Sequence, residues 1–184
     1  IMHTPFKNNT FDIIFSEGVL HHTDSTEKSI YHLSKKLKSN GLFLFYVYKK
    51  KAIIREYTDD LIRNKIKSLS NEQAWEILKP LSKLGISLGN LNVKVNIEED
   101  IELLGIKKGS YDLQRFFYYN ICKCFYDQNY SLDEINHINF DWFRPLNCSR
   151  HTPEEIIEYC NNANLIINNL FIDDSGITVV AIKK

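Results

Sequence analysis

Apolar positions near the start of the chain come in short, nearly continuous runs. Phe11–Ser16 is one such run, preceded by the turn-rich Lys7-Asn8-Asn9-Thr10, and it reads as a buried strand that stops at Ser16-Glu17-Gly18. Asp24 and Glu27 then form an acidic capping-box pattern. Ile30, Leu33 and Leu37 follow at helical spacing, and Asn40-Gly41 supplies a left-handed stop, so a helix is expected between them. Residues 42–48 are apolar on both faces, which suits a strand at the centre of a parallel sheet with helices on each side. With a right-handed crossover, residues 11–48 make one βαβ unit.

From residue 52 to about residue 139 the pattern turns helical, with aromatic and lysine-rich faces, and reads as an insertion. Ile54, Tyr57, Leu61 and Leu69 share a stripe. Ser70 with Gln73 caps a second helix carrying Trp75, Leu78 and Leu81, kinked at Pro80. Residues 85–96 read as irregular. Leu113, Phe116, Phe117, Ile121, Cys124 and Phe125 define an amphipathic helix, and Ser131 with Glu134 opens a short one. Such stripes are more often core than a cofactor contact.

The end of the chain returns to α/β patterning. Thr152-Pro153-Glu154-Glu155 combines an N-cap, a proline at the first helical position and a capping-box glutamate. The helix it opens runs to about Ala163 with Ile156, Ile157, Cys160 and Ala163 inward. Residues 165–172 and 177–182 then form a closing hairpin through Asp173-Asp174-Ser175-Gly176. No internal repeat or low-complexity tract is present.

Composition narrows the classes. Lys plus Arg and Asp plus Glu both number 23, so the formal net charge is zero and no long-range field draws in nucleic acid or an anionic membrane. No apolar run approaches the roughly 18–20 residues of a membrane span. Cys122, Cys124, Cys148 and Cys160 lack zinc-type spacing, and reduced thiols in a cytoplasmic protein are the simpler reading; no metal site is expected. The chain opens on Ile1 and Met2 without a signal-peptide pattern, and is expected to begin inside a larger protein.

Several motifs in order carry a resemblance. Pro5-Phe6, a polar spacer, Phe11-Asp12-Ile13-Ile14-Phe15-Ser16 and then Gly18-Val19-Leu20-His21-His22 resemble the fourth-strand region of type 11 methyltransferases, class I enzymes that use S-adenosylmethionine. Lys38-Ser39-Asn40-Gly41-Leu42 is similar to that family's turn into strand five, with Ser39 and Asn40 replacing proline and glycine. Residues 140–145 and 150–155 resemble a subgroup with a long helical insertion after strand five, and the last hairpin resembles the family's antiparallel seventh strand. The resemblance covers roughly residues 1–50 and 140–184.

It implies an α/β fold: a partial Rossmann-like methyltransferase sheet, strands four to seven with the last antiparallel, formed by residues 1–51 and 140–184. Residues 52–139 would be a helical insertion covering the acceptor pocket. The family's glycine-rich turn, its ribose-binding acid and strands one to three would lie upstream of Ile1. The implied activity is S-adenosylmethionine-dependent methyl transfer to a small-molecule acceptor, with this chain incomplete alone. The rival reading is a non-catalytic remnant whose insertion binds a protein.

Methyl transfer is an in-line displacement that asks mainly for positioning and exclusion of water. In open α/β sheets ligands lie beyond the carboxyl ends of strands, here the Ser16-Glu17-Gly18 turn. These three residues, with Ile1 and Met2 at the adenine end, are the cofactor-binding candidates. The resemblance puts His21 near the methyl and the acceptor, where a ring titrating near neutrality orients or deprotonates a hydroxyl, and His22 against the sheet; alternatively both pack or cap. Tyr48, Trp142, Arg150 and His151 are the acceptor-binding candidates, each with a plain structural alternative.

Overall fold

The computed structural model describes residues 1–184. Its elements are, in chain order, β1 (Phe11–Ser16), a 3-10 turn (Leu20–His22), α1 (Thr26–Ser34), β2 (Leu37–Tyr48), α2 (Ile53–Ile66), α3 (Asn71–Leu91), β3 (Lys94–Ile97), a second 3-10 turn (Glu102–Leu104), β4 (Gly109–Asp112), α4 (Leu113–Asn120), α5 (Leu132–Phe143), α6 (Pro153–Asn162), β5 (Leu165–Ile172) and β6 (Gly176–Lys183). They fall into two compact units, residues 1–50 with 147–184, and residues 51–146.

The first unit is α/β. Its sheet runs β1-β2-β6-β5. β1 pairs parallel to β2 through the α1 crossover, while β6 runs antiparallel to both β2 and β5. Phe43, Phe45 and Val47 of β2 and Ile177, Val179 and Ala181 of β6 point to one face, where α1 and α6 close the core with Ile30, Ile156 and Cys160. The opposite face of β2, with Leu42, Leu44, Tyr46 and Tyr48, is half-buried rather than fully enclosed. The family-like hairpin is present, with β6 inside the sheet and β5 at its edge.

Two boundaries differ from the reading of the pattern. Ser25, not Asp24, caps α1 by accepting from the Lys28 amide at 3.2 Å, and Asp24 instead accepts from Asn147 Nδ2 at 2.8 Å. α1 ends at Ser34, and Leu37 opens β2 opposite Phe11. Asn40 does adopt a left-handed φ of 64°, but inside the strand: Phe11 pairs with Leu37 and Ile13 with Leu42, so two steps along β1 meet five along β2. Leu37 fits either a helical stripe or a strand start. The amides of Thr10 and Phe11, both bonded to the Lys36 carbonyl, decide for the strand.

The second unit is mostly helical, with a small β3–β4 hairpin. α3 runs as one helix of 21 residues through Pro80 to Leu91, so most of the expected irregular segment after residue 85 is helical. Ser70 and Ser131 both close the expected capping boxes, with Gln73 and Glu134. α4 stops at Asn120, well short of Phe125. α2 buries Arg55, Asp59 and Ile66, while Tyr57 and Leu61 of the expected apolar stripe are exposed. The buried charges are matched: Arg55 Nε lies 2.9 Å from Asp59 Oδ1, Asp59 Oδ2 accepts from Trp142 Nε1 at 2.8 Å, and Arg55 Nη1 donates to the Tyr118 carbonyl. Desolvating such a pair is offset only by geometry this complete.

Candidate functional site at the carboxyl ends of β1 and β2

Parallel strands β1 and β2 end at Ser16 and Tyr48, and the 3-10 turn Leu20–His22 follows the first of them. Gly18 makes that turn with φ +69°, and a Cβ built there meets nothing within 4 Å, so the backbone borders open space. The turn delivers two imidazoles side by side, with ring centroids 4.4 Å apart. The two differ in burial. His21 is fully buried and lies 3.7 Å, centroid to centroid, over the Tyr48 ring, with Tyr46 edge-on at 6.2 Å. His22 is half-buried, and its Nδ1 lies 2.7 Å from the Asn147 carbonyl; a carbonyl can only accept, so Nδ1 carries the proton.

The main chain of His21 is held by the Ser149 amide, which donates to its carbonyl at 2.8 Å, whereas the ring is placed by stacking. Neither of its ring nitrogens has a hydrogen-bond partner, and the same holds for the buried Ser16 Oγ. Buried polar atoms are almost always bonded, so three orphans near the ends of two adjacent parallel strands set this place apart from the rest of the chain. Burial, and after it the neighbouring His22 and His151 rings, pushes the His21 pKa down to about 3; the Tyr46 main chain opposes this weakly, from outside hydrogen-bond geometry. The ring is therefore neutral at physiological pH. For His21 this departs from the ring titrating near neutrality that the sequence leads one to expect.

His151 joins the same cluster by a different route. Its amide donates to the Tyr48 carbonyl at 2.9 Å and its carbonyl accepts from the Lys50 amide, so it extends the end of β2 by one bridge. Its Nε2 lies 2.9 Å from Thr26 Oγ1, which in turn donates to the Leu20 carbonyl at 3.3 Å. Nε2 is then the donor to Thr26, and the ring ties α1 and the His21 turn to β2. Burial holds the His151 pKa below its ordinary value, against an opposing pull from Glu155 and with Lys50 adding to the shift.

The remaining candidates are scattered. Glu17 is exposed. Ile1 and Met2 line a cavity of about 340 Å³ with His3, Thr23 and Asp24. Arg150 is half-buried, with Nη1 donating to the Cys148 carbonyl at 3.3 Å. Trp142 belongs to the helical unit, buried with its indole N–H on Asp59, so its nearest function there is structural. Sequence reasoning passed over Tyr46 and Thr26. Tyr46 was detectable from its spacing of two before Tyr48, which puts both rings on one face of a strand; Thr26 had no local signal. No group of three His, Cys, Asp or Glu side chains is arranged to hold a metal ion, and no helix is long and apolar enough to cross a membrane.

Residues 1–45 match the methyltransferase domain family. No characterised protein matches the chain by sequence. Among solved structures it is similar to PKMT2 from Rickettsia typhi, at 15% identity and a TM-score of 0.50, over 96% of this chain and 37% of that one. The same protein in complex with AdoHcy matches at 14% identity and 0.50, over 96% and 36%. A putative S-adenosylmethionine dependent methyltransferase from Listeria monocytogenes is 10% identical with a TM-score of 0.46, over 100% of this chain and 66% of that one. The chain thus spans less than two thirds of each of these structures. At such identities the likeness is one of fold alone.

Proposed function

We propose that this chain, methyltransferase type 11-like over its first 45 residues, takes part in methyl transfer from S-adenosylmethionine to a small-molecule acceptor. The observation that carries the reading is the set of orphaned atoms, Ser16 Oγ and both ring nitrogens of His21, at the carboxyl ends of β1 and β2. That position is where ligands sit in open α/β sheets. S-adenosylmethionine would supply an electrophilic methyl group on a sulfonium.

Ser16, Glu17 and the open backbone at Gly18 would hold the polar amino-acid end, and Ile1 and Met2 would hold the adenine end in the cavity they line with Thr23. Tyr48, His151 and Arg150 would line the acceptor side. His21 then orients the acceptor. A ring that resists protonation until about pH 3 is a poor sink for a proton, so its contribution is a hydrogen bond that sets the attacking atom in line. The rate should accordingly show no protonation limb from His21 between pH 6 and 7, near its ordinary value of 6.5, and His21→Phe should lower it roughly a hundredfold, the scale of a misplaced acceptor.

Ultraviolet cross-linking of methyl-labelled S-adenosylmethionine to the full-length protein, followed by peptide mapping, tests the placement. Label on peptides from residues 1–22 is expected. Label confined to residues 51–146 would overturn it.

A further inference from the structure

The helical unit has a cavity of its own, of about 530 Å³, between the carboxyl end of α3, the start of α4 and the segment 126–129. It lies wholly within that unit and does not depend on the methyl-transfer reading. At its wall the Tyr126 ring is seated directly on α3, since a Cβ on Gly89 would come within 2.1 Å of Tyr126 Cδ1. Only glycine permits that approach. The ring is also pinned at its far end, where Oη donates to Asn90 Oδ1 at 3.0 Å. An aromatic face that costs little further ordering is thus part of the cavity before any ligand arrives.

Five of the ten lining residues carry side-chain amides: Asn90, Asn92, Gln114, Gln128 and Asn129. Gln114 is only 1% exposed; its Nε2 donates to the Cys124 carbonyl at 2.7 Å, which fixes the side chain, while no hydrogen bond from the chain reaches its Oε1. Asn129 is set by its backbone and side-chain N–H groups, both donated to Asp127 Oδ1 at 2.9 and 3.1 Å. Gln128, beside them, is exposed. Charges are few and of both signs: Arg115 stands with Asp112 and Asp127. A phosphate would meet one cation and two carboxylates, and a lipid would meet almost no apolar wall. Amides offer a donor and an acceptor together, the pairing a hydroxyl needs, and an aromatic face receives the C–H surface of a sugar ring. The volume lies in the range of small-molecule sites.

We infer that this groove binds a neutral, polyhydroxylated small molecule, a saccharide, through its amide lining and the Tyr126 ring. The test is an NMR titration of the full chain with maltose as the probe, following backbone and side-chain amides. Saturable shifts centred on Gln114 and Asn129 are expected, weakened about tenfold by Tyr126→Ala. The exposed Gln128→Ala variant should weaken them several-fold without touching the core, so the question survives if the Tyr126 variant does not fold. Absence of saturation would overturn the inference, as would identical shifts with glycerol or tighter binding of glucose 6-phosphate than of glucose.

Discussion

Burial of His21 without a hydrogen bond has a direct thermodynamic consequence. In the unfolded chain the ring takes a proton below its ordinary value of 6.5, whereas in the folded protein it does so only near 3. The unfolded state therefore binds more protons between those limits, and stability falls as pH drops through that window. One proton corresponds to a slope of at most about 1.4 kcal/mol per pH unit. Urea unfolding of His21→Asn at a series of pH values should show this slope reduced below pH 6; an unchanged slope would assign the acid sensitivity elsewhere. Asp59 is the opposite case, a buried charge with every partner in place. Asp59→Ala leaves Arg55 desolvated without its counter-charge, and denaturant unfolding should show a loss of about 3–5 kcal/mol.

Among the elements, α6 has the most completely specified start. Thr152 accepts from the Glu155 amide at 3.3 Å while Glu155 Oε2 accepts from the Thr152 amide at 2.8 Å, with Pro153 at the first helical position. Thr152→Ala should cost about 1 kcal/mol in unfolding measurements. Such signals are local, and for that reason the starts of α3, α5 and α6 were readable in the sequence. The end of α1 was not, because Leu37 suits both periods and its pairing with Phe11 is a tertiary fact. α2 was misread for a related reason: charged Arg55 and Asp59 look solvated in a pattern, and only the carbonyl of Tyr118 and the indole of Trp142 make the polar face the buried one.

For the whole molecule, the parallel β1–β2 crossover and the closing hairpin were legible in the sequence pattern, whereas the place of β6 between β2 and β5 is a tertiary fact that no local signal carries. The site was legible in part. Ser16, His21, Tyr48 and His151 are drawn together at two strand ends, which a motif near residue 20 and a helix start near residue 152 both announce. Trp142 sits instead in the helical unit, because the chain remains in α5 to Phe143 and the division of the two units falls after residue 146. β1 pairs on one side only and exposes Ile13 and Phe15 at 60% and 67%.

What binds the orphaned atoms of Ser16 and His21 decides whether this site serves methyl transfer. Isothermal titration of S-adenosylhomocysteine into the full-length protein reaches it most directly. Saturable heat at one equivalent is expected, with the affinity weakened about tenfold by Ser16→Ala. No heat from protein that circular dichroism shows to be folded would contradict the assignment of this site to methyl transfer.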